Sequence, residues 1–216
     1  MVLTNQIIND DCLNVIENLP NNSIDVCLTD PPYGIDYQSA WRTDRSEWKP
    51  KIQNDNEPFT EWIKPLYSKM KEGGRLLCFY RWDVQDEFLN EIKSAGFIVK
   101  SQIVWDKGIH GMGDLKGEFA PQHESIIYAT KGRYTFQGKR PTTVFKVQRV
   151  NPTNQVHPNE KPIELLKQLL LSISTENELV VDLFGGSFST YIASLSLRYR
   201  LIEGVLHVNY PKYILR

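Results

Sequence analysis

The sequence predicts an α/β protein with a mostly parallel central sheet and helices on both faces. Three observations carry this. Short, mainly apolar runs such as Ile24 to Leu28 and Leu179 to Leu183 have the character of strands buried on both sides. Helical segments separate such runs, an amphipathic one at 83–95 and a long one at 160–174. The alternation runs through 216 residues with no internal repeat and no low-complexity tract, so one domain over 1–216 is the simplest organisation.

Taken in order, Gln6 to Asn9 is a short apolar start and 13–19 is helix-like. Pro20-Asn21-Asn22-Ser23 is a turn before the strand 24–29. Residues 34–57 are polar, hold Trp41 and Trp48 and show no period, as expected of a mobile functional loop. A helix is expected over 58–71, with Pro65 awkward inside it and Gly73-Gly74 just past its end. Strands follow at 75–80, 97–105 and 124–130, with Gly96 closing the helix before the second. Four glycines make 107–121 a flexible loop, and 132–155 has scattered β-formers but no clean helix. Pro162 stands near the start of the 160–174 helix. A strand at 179–183, a helix running to about 197 and a strand at 201–208 complete the chain.

Composition narrows the class. No apolar run approaches the ~20 residues that span a bilayer. The start of the chain lacks a signal-peptide pattern, and Cys12, Cys27 and Cys78 fit neither a disulfide framework nor a metal spacing. A reducing, cytoplasmic setting without a metal site is expected. Net charge is only −1, yet it is segregated. Residues 125–159 hold Lys131, Arg133, Lys139, Arg140, Lys146 and Arg149 and no acid, whereas residues 1–60 hold four bases against ten acids. Such a chain has one face able to meet phosphates.

Two turns carry chemistry. Asp30-Pro31-Pro32-Tyr33 follows a buried strand. Two prolines stiffen it and remove two backbone donors, leaving a carboxylate, free carbonyls and an aromatic ring suited to holding a flat heterocycle by its exocyclic amine. Asp182-Leu183-Phe184-Gly185-Gly186-Ser187 also follows a strand and opens a helix. Its glycines let backbone N–H groups approach a ligand, and the helix start favours an anionic group. Either turn alone is also an ordinary structural turn.

Together, with Lys161-Pro162 opening the helix before the second strand, they resemble the amino-directed DNA methyltransferases, in the motif order of the circularly permuted β-class. Supporting fragments span nearly the whole chain: Asp11-Cys12-Leu13, Asn54-Asp55-Asn56, Lys71-Glu72-Gly73-Gly74, Trp105-Asp106-Lys107, His123-Glu124 and His157 to Pro162. The resemblance implies a single Rossmann-like domain that uses S-adenosylmethionine to methylate adenine N6 in double-stranded DNA, in the cytoplasm of a prokaryotic or phage-infected cell. It implies a flipped base, with Asp30 and the Pro31 carbonyl accepting from the amine and Tyr33 stacking within the Asp30-Pro31-Pro32-Tyr33 catalytic turn. The cofactor would meet Phe184, Gly185, Gly186 and Ser187, with Asp182 and Lys161 at its amino-acid end, Asp11 at its adenine end and Asp30 beside its reacting end. Lys131, Arg133, Lys139, Arg140, Lys146 and Arg149, within a short recognition segment at 131–157, would grip phosphates together with the 34–57 loop. A homodimer or a partner subunit is compatible with it.

Three positions depart from the family pattern: Phe188 and Leu195 within and after the glycine turn, and Leu206 where an acid usually holds the cofactor ribose. Glu203, three residues before Leu206, falls on the other face of the strand. Asp30 favours adenine by family habit. The alternatives are a cytosine-N4 enzyme, or a catalytically inactive DNA-binding or partner subunit with a degraded cofactor site.

Overall fold

The computed structural model describes residues 5–34, 57–111, 115–151 and 160–205. Trp41, Trp48, nearly all of the 34–57 loop, 152–159 and Leu206 lie outside these residues. The elements are β1 (Gln6–Asn9), α1 (Cys12–Asn18), β2 (Ile24–Thr29), α2 (Ile63–Lys69), β3 (Met70–Tyr80), α3 (Gln85–Ser94) and β4 (Ile98–Asp106). They continue with β5 (His123–Thr130), β6 (Val144–Lys146), α4 (Ile163–Ile173), β7 (Leu179–Asp182), α5 (Ser189–Ser196) and β8 (Arg200–Val205).

The strands form one sheet in the order β1-β8-β7-β2-β3-β5-β4-β6. Among the described residues only β5 runs against its neighbours, so the sheet is mostly parallel as expected. Side chains alternate between two apolar layers, as the two-residue period of a strand requires. Ile24, Cys27, Leu76, Cys78, Val181 and Ile202 pack beneath α1, α2 and α3. Val26, Leu28, Leu77, Phe79, Ile126, Tyr128, Val180 and Leu201 pack beneath α4 and α5. All six residues of β2 are buried, which explains its unbroken apolar look apart from Asp25. Asp25 is satisfied at the strand start by Lys71, at 2.7 Å, and by the Leu179 N–H, at 2.9 Å.

Two local expectations are corrected. Gly73 and Gly74 do not follow a helix end; they lie inside β3, which starts at Met70 when the backbone turns extended after Lys69. Gly73 takes φ 77°, and the β2–β3 register shifts between Ile24 and Val26. Pro65 does not break α2, because it is the third residue of the helix. Its missing N–H is one of the first-turn donors that lack an intrahelical partner anyway.

The basic run is divided by the topology. β5 ends at Thr130 opposite Arg75, near the start of β3, whereas its first residues face Tyr80 and Asp106 at the strand ends where Asp30 emerges. Lys131 and Arg133 therefore stand at the far edge of the sheet, a strand length of roughly 20 Å away. Lys131 is committed to the fold: its ammonium donates to the carbonyls of Tyr67 (2.9 Å) and Met70 (2.8 Å) and to Asn22 Oδ1 (3.1 Å), over the Tyr67 ring. These three bonds occupy the ammonium that the sequence offers as a phosphate contact. Lys146 and Arg149 come after the chain has crossed to the other edge, where Lys146 pairs with Asp106, and both are exposed. Lys139 and Arg140 are exposed on the crossing itself. Tyr128, Tyr134 and Phe136 pack against one another, and the Tyr134 hydroxyl donates to the Ile173 carbonyl at 2.8 Å.

Lys131→Ala is expected to lower stability by about 1–3 kcal/mol, because it strips the Tyr67 and Met70 carbonyls of a charged donor. Urea denaturation reads this; DNA affinity is expected to stay at the wild-type value.

Candidate active site

From β7 the chain passes through α5 to β8 on one side; from β2 it passes through α2 to β3 on the other. Adjacent parallel strands whose connections leave in opposite directions open a crevice at their C-terminal ends. Thr29 ends β2 and Asp182 ends β7, and they are joined across this point. Thr29 Oγ1 donates to Asp182 Oδ1 at 2.9 Å and accepts from the Leu183 N–H at 3.3 Å. The Phe184 N–H also donates to Asp182 Oδ1, at 3.1 Å. Burial pushes the Asp182 carboxyl up to about 6, against hydrogen bonds from Thr190, Phe184 and Thr29 that pull it down.

Asp30 is the first residue beyond β2. Its Oδ2 pairs with the Lys161 ammonium at 2.5 Å, and its Oδ1 accepts from the Tyr33 hydroxyl. Lys161 is 8% exposed and sits over the Phe79 ring, 4.9 Å from its centre. Burial alone would push this ammonium down, but Asp30 and then Glu124 more than reverse that and hold it above the usual lysine range. Burial also keeps the Tyr33 phenol well above its usual range, with the Asp30 charge adding to it, so Tyr33 is a neutral donor. The Tyr33 ring stands edge-on to Phe88. The stiff turn is tied down beyond the prolines, where the Pro32 carbonyl accepts from the Phe59 N–H at 3.1 Å and Tyr33 bridges to Pro58. Pro31 is buried.

The glycine turn lies beside this pair. Phe184 contacts the rings of Phe59 and Trp62 edge-on, at 6.0 and 5.8 Å. The Gly185 N–H donates to the Gly204 carbonyl at 2.9 Å, Gly186 takes φ 47°, and the Ser187 and Ser189 hydroxyls lie 2.8 Å apart. Phe188, which departs from the family glycine, is left-handed at φ 61°. That conformation costs a residue with a Cβ roughly 1–2 kcal/mol. Beneath the turn Glu203 pairs in register with Asp182 and is wholly buried, with no hydrogen-bond partner on either oxygen. A Cβ on Gly185 would stand 2.1 Å from Glu203 Oε1, so glycine there is what admits this carboxyl. Burial raises Glu203 to about 9, with the Asp182 charge adding; the Tyr191 amide opposes the shift without reaching hydrogen-bond geometry.

The expected site residues thus separate. Asp30, Tyr33, Asp182 and the 184–187 turn share one edge of the sheet, around the β2–β7 junction. Lys161 joins them through Asp30 and Glu124, not through the turn. Asp11 stands at the end of β1, two strands from β7, and its carboxylate caps α1 by accepting from the Leu13 N–H at 2.8 Å. Sequence reasoning missed Thr29, and it left Glu124 and Lys107 without roles. Thr29 was legible only as the last residue of a buried strand.

The family model described as DNA methylase, for N6 and N4 methyltransferases, matches residues 24–204, and the chain belongs to that family. The protein YubD of Escherichia coli strain K12 is 32% identical over 199 residues, which cover 90% of this chain and 82% of that one. The type II methyltransferase M.HpaI of Haemophilus parainfluenzae is 25% identical over 84% of this chain and 64% of its own. Among solved structures, the M1.HpyAVI–SAM complex superposes with a TM-score of 0.74 at 19% identity, covering 94% of this chain and 92% of that one. The cytosine-N4-specific PvuII DNA methyltransferase gives 0.75 at 16%, covering 96% and 83%. The methyltransferase fold and S-adenosylmethionine as the family's cofactor hold as expected. The residues fit a sulfonium cofactor: the Asp182 carboxyl at the end of β7 suits a cationic ligand, beside the aromatic wall of Phe59, Trp62 and Phe184.

A carboxyl raised on folding binds its proton longer in the folded state, so stability falls as pH rises from the unfolded value, near 4.5 for Glu203, to about 9. Asp182 acts in the same sense up to about 6. Glu203→Gln is therefore expected to flatten the decline between pH 6 and 9. Urea denaturation across that range in both proteins measures it; parallel curves would refute the neutral, buried carboxyl.

Proposed function

We propose that this chain transfers a methyl group from S-adenosylmethionine to the exocyclic N6 of adenine in double-stranded DNA. The observation that carries the reading is the division of labour on Asp30. One carboxylate oxygen is held by Lys161, while the other faces a neutral hydroxyl donor that an amine N–H can replace.

Bound at the glycine turn, the cofactor supplies an electrophilic methyl group on a sulfonium. The chain's own residues do the rest. The Phe184–Ser187 turn and Asp182 hold the cofactor's amino-acid end, and Asp11 lies toward its adenine end. Asp30 Oδ1 accepts one amine hydrogen and the Pro31 carbonyl the other, which aims the nitrogen lone pair at the methyl group. Tyr33 yields its hydrogen bond and offers its ring to the base. Asp30 Oδ1 then stands within reach of the proton that the methylated nitrogen sheds. Positioning and charge supply the rate. Lys146 and Arg149, with Lys139 and Arg140 on the approach, meet phosphates, so binding weakens with salt. An aspartate at position 30 favours adenine through the family resemblance.

The second reading, an inactive subunit, draws on Phe188 in its left-handed conformation and on the unpartnered Glu203, both at the cofactor half of the crevice. Labelled methyl transfer from S-adenosylmethionine to unmethylated DNA, followed by digestion to nucleosides, separates the readings. The expected product is N6-methyldeoxyadenosine. Label on N4-methyldeoxycytidine would keep the mechanism and overturn the base; no label from folded protein would favour the inactive subunit. Asp30→Ala is expected to abolish transfer, with cofactor affinity kept within about twofold; full activity in that variant would remove Asp30 from the mechanism.

A further inference from the structure

Three strands continue their α4-side apolar rows into a charged residue at the crevice edge. β2 runs Val26, Leu28, Asp30; β5 runs Tyr128, Ile126, Glu124; β4 runs Ile103, Trp105, Lys107; between β2 and β5, β3 contributes Leu77 and Phe79 to the same layer. With Lys161 arriving ahead of α4, these ends meet. Lys107 Nζ lies 2.7 Å from Glu124 Oε1 and 5.3 Å from the centre of the Trp105 ring. Glu124 Oε2 lies 3.2 Å from Lys161 Nζ, which pairs with Asp30 Oδ2 at 2.5 Å. Charges alternate along the row, and each inner member has a partner on either side.

We propose that Glu124 is a positioning residue for methyl transfer: it fixes the Lys161 ammonium so that lysine takes only one oxygen of Asp30, and it anchors that arrangement to the β4–β5 hairpin through Lys107. The inference rests on the reading of Asp30 as the amine acceptor. Its physical reason is geometric. An ammonium paired with a single carboxylate is free to bridge both oxygens, which would close the acceptor that the amine needs. A second carboxylate on the far side of Lys161 holds it back. The charged groups facing Glu124 are Lys107 beyond β4 and Lys161 before α4, with Asp30 behind Lys161 and the neutral Tyr33 phenol nearby. Burial opposes the Glu124 charge, but Lys161 and Lys107 more than compensate and hold the carboxyl below its usual range.

The test is Glu124→Gln, which keeps shape and removes charge, with Lys107→Met as a second variant should the first fail to fold. Glu124→Gln is expected to lower kcat roughly tenfold or more, since small misplacements at the reacting centre are costly, while the Kd for S-adenosylmethionine stays within about twofold. Lys107→Met is expected to fall less, and the double variant no further than Glu124→Gln. An unchanged kcat would overturn the proposal. So would a parallel loss of kcat, cofactor affinity and thermal stability, which marks a merely structural ion pair. A second readout needs no catalysis: the 15N resonance of the Lys161 ammonium, assigned by its absence in Lys161→Met. It is expected to shift and broaden in Glu124→Gln, and an unmoved resonance would overturn the positioning role. A wild-type protein that transfers no methyl group refutes the reading of function instead, and that result precedes any variant.

Discussion

Lys161 is a buried ammonium, and a buried cation needs anions around it. Asp30 and Glu124 supply them, from strand ends that the chain brings together across 131 residues of separation on one side. Much of the site follows from this demand. It orients one oxygen of the carboxylate beyond β2, leaves the other for a neutral donor, and ties the crevice to β5 and, through Lys107, to the end of β4. Breaking either ion pair leaves the mostly buried Lys161 ammonium with one anion fewer. The Phe79 ring below Lys161 prevents retreat toward the core.

The other half of the crevice is built differently. Asp182 is satisfied by Thr29 and the Phe184 amide, yet burial still raises it, and Glu203 beside it has no partner at all. Two neighbouring carboxyls that both resist ionisation stand under a turn whose last residue, Phe188, takes a conformation that suits glycine. Strain and desolvation thus gather under the glycine turn, while charge pairing gathers around Asp30.

Much of this was legible in the sequence, and the reasons are local. The strand-to-turn signals at Asp30 and Asp182 are written in consecutive residues, and the buried strands announce themselves as apolar runs. What was not legible depended on geometry between distant segments. The pairing of Lys161 with Asp30 and Glu124 joins segments that the sequence keeps far apart. The basic run 131–149 reads as one surface, but β5 and β6 carry its two ends to opposite edges of the sheet, so Lys131 becomes a structural tie. Gly73 and Gly74 read as a helix stop because glycine ends helices, whereas here a bulge at the start of β3 needs the positive φ of Gly73. Glu124 was visible only as part of a fragment; the two-residue alternation that aims it at Lys161 becomes meaningful once β5 is known to run against β3 and β4.

Lys161, held between Asp30 and Glu124, is expected to stay with the amine acceptor when the cofactor binds. The structure of the chain with S-adenosylhomocysteine bound is the measurement that decides this. The ligand is expected over the Phe184–Ser187 turn, with Lys161 still between Asp30 and Glu124. A Lys161 ammonium on the ligand's carboxylate, with Asp30 released, would overturn that role.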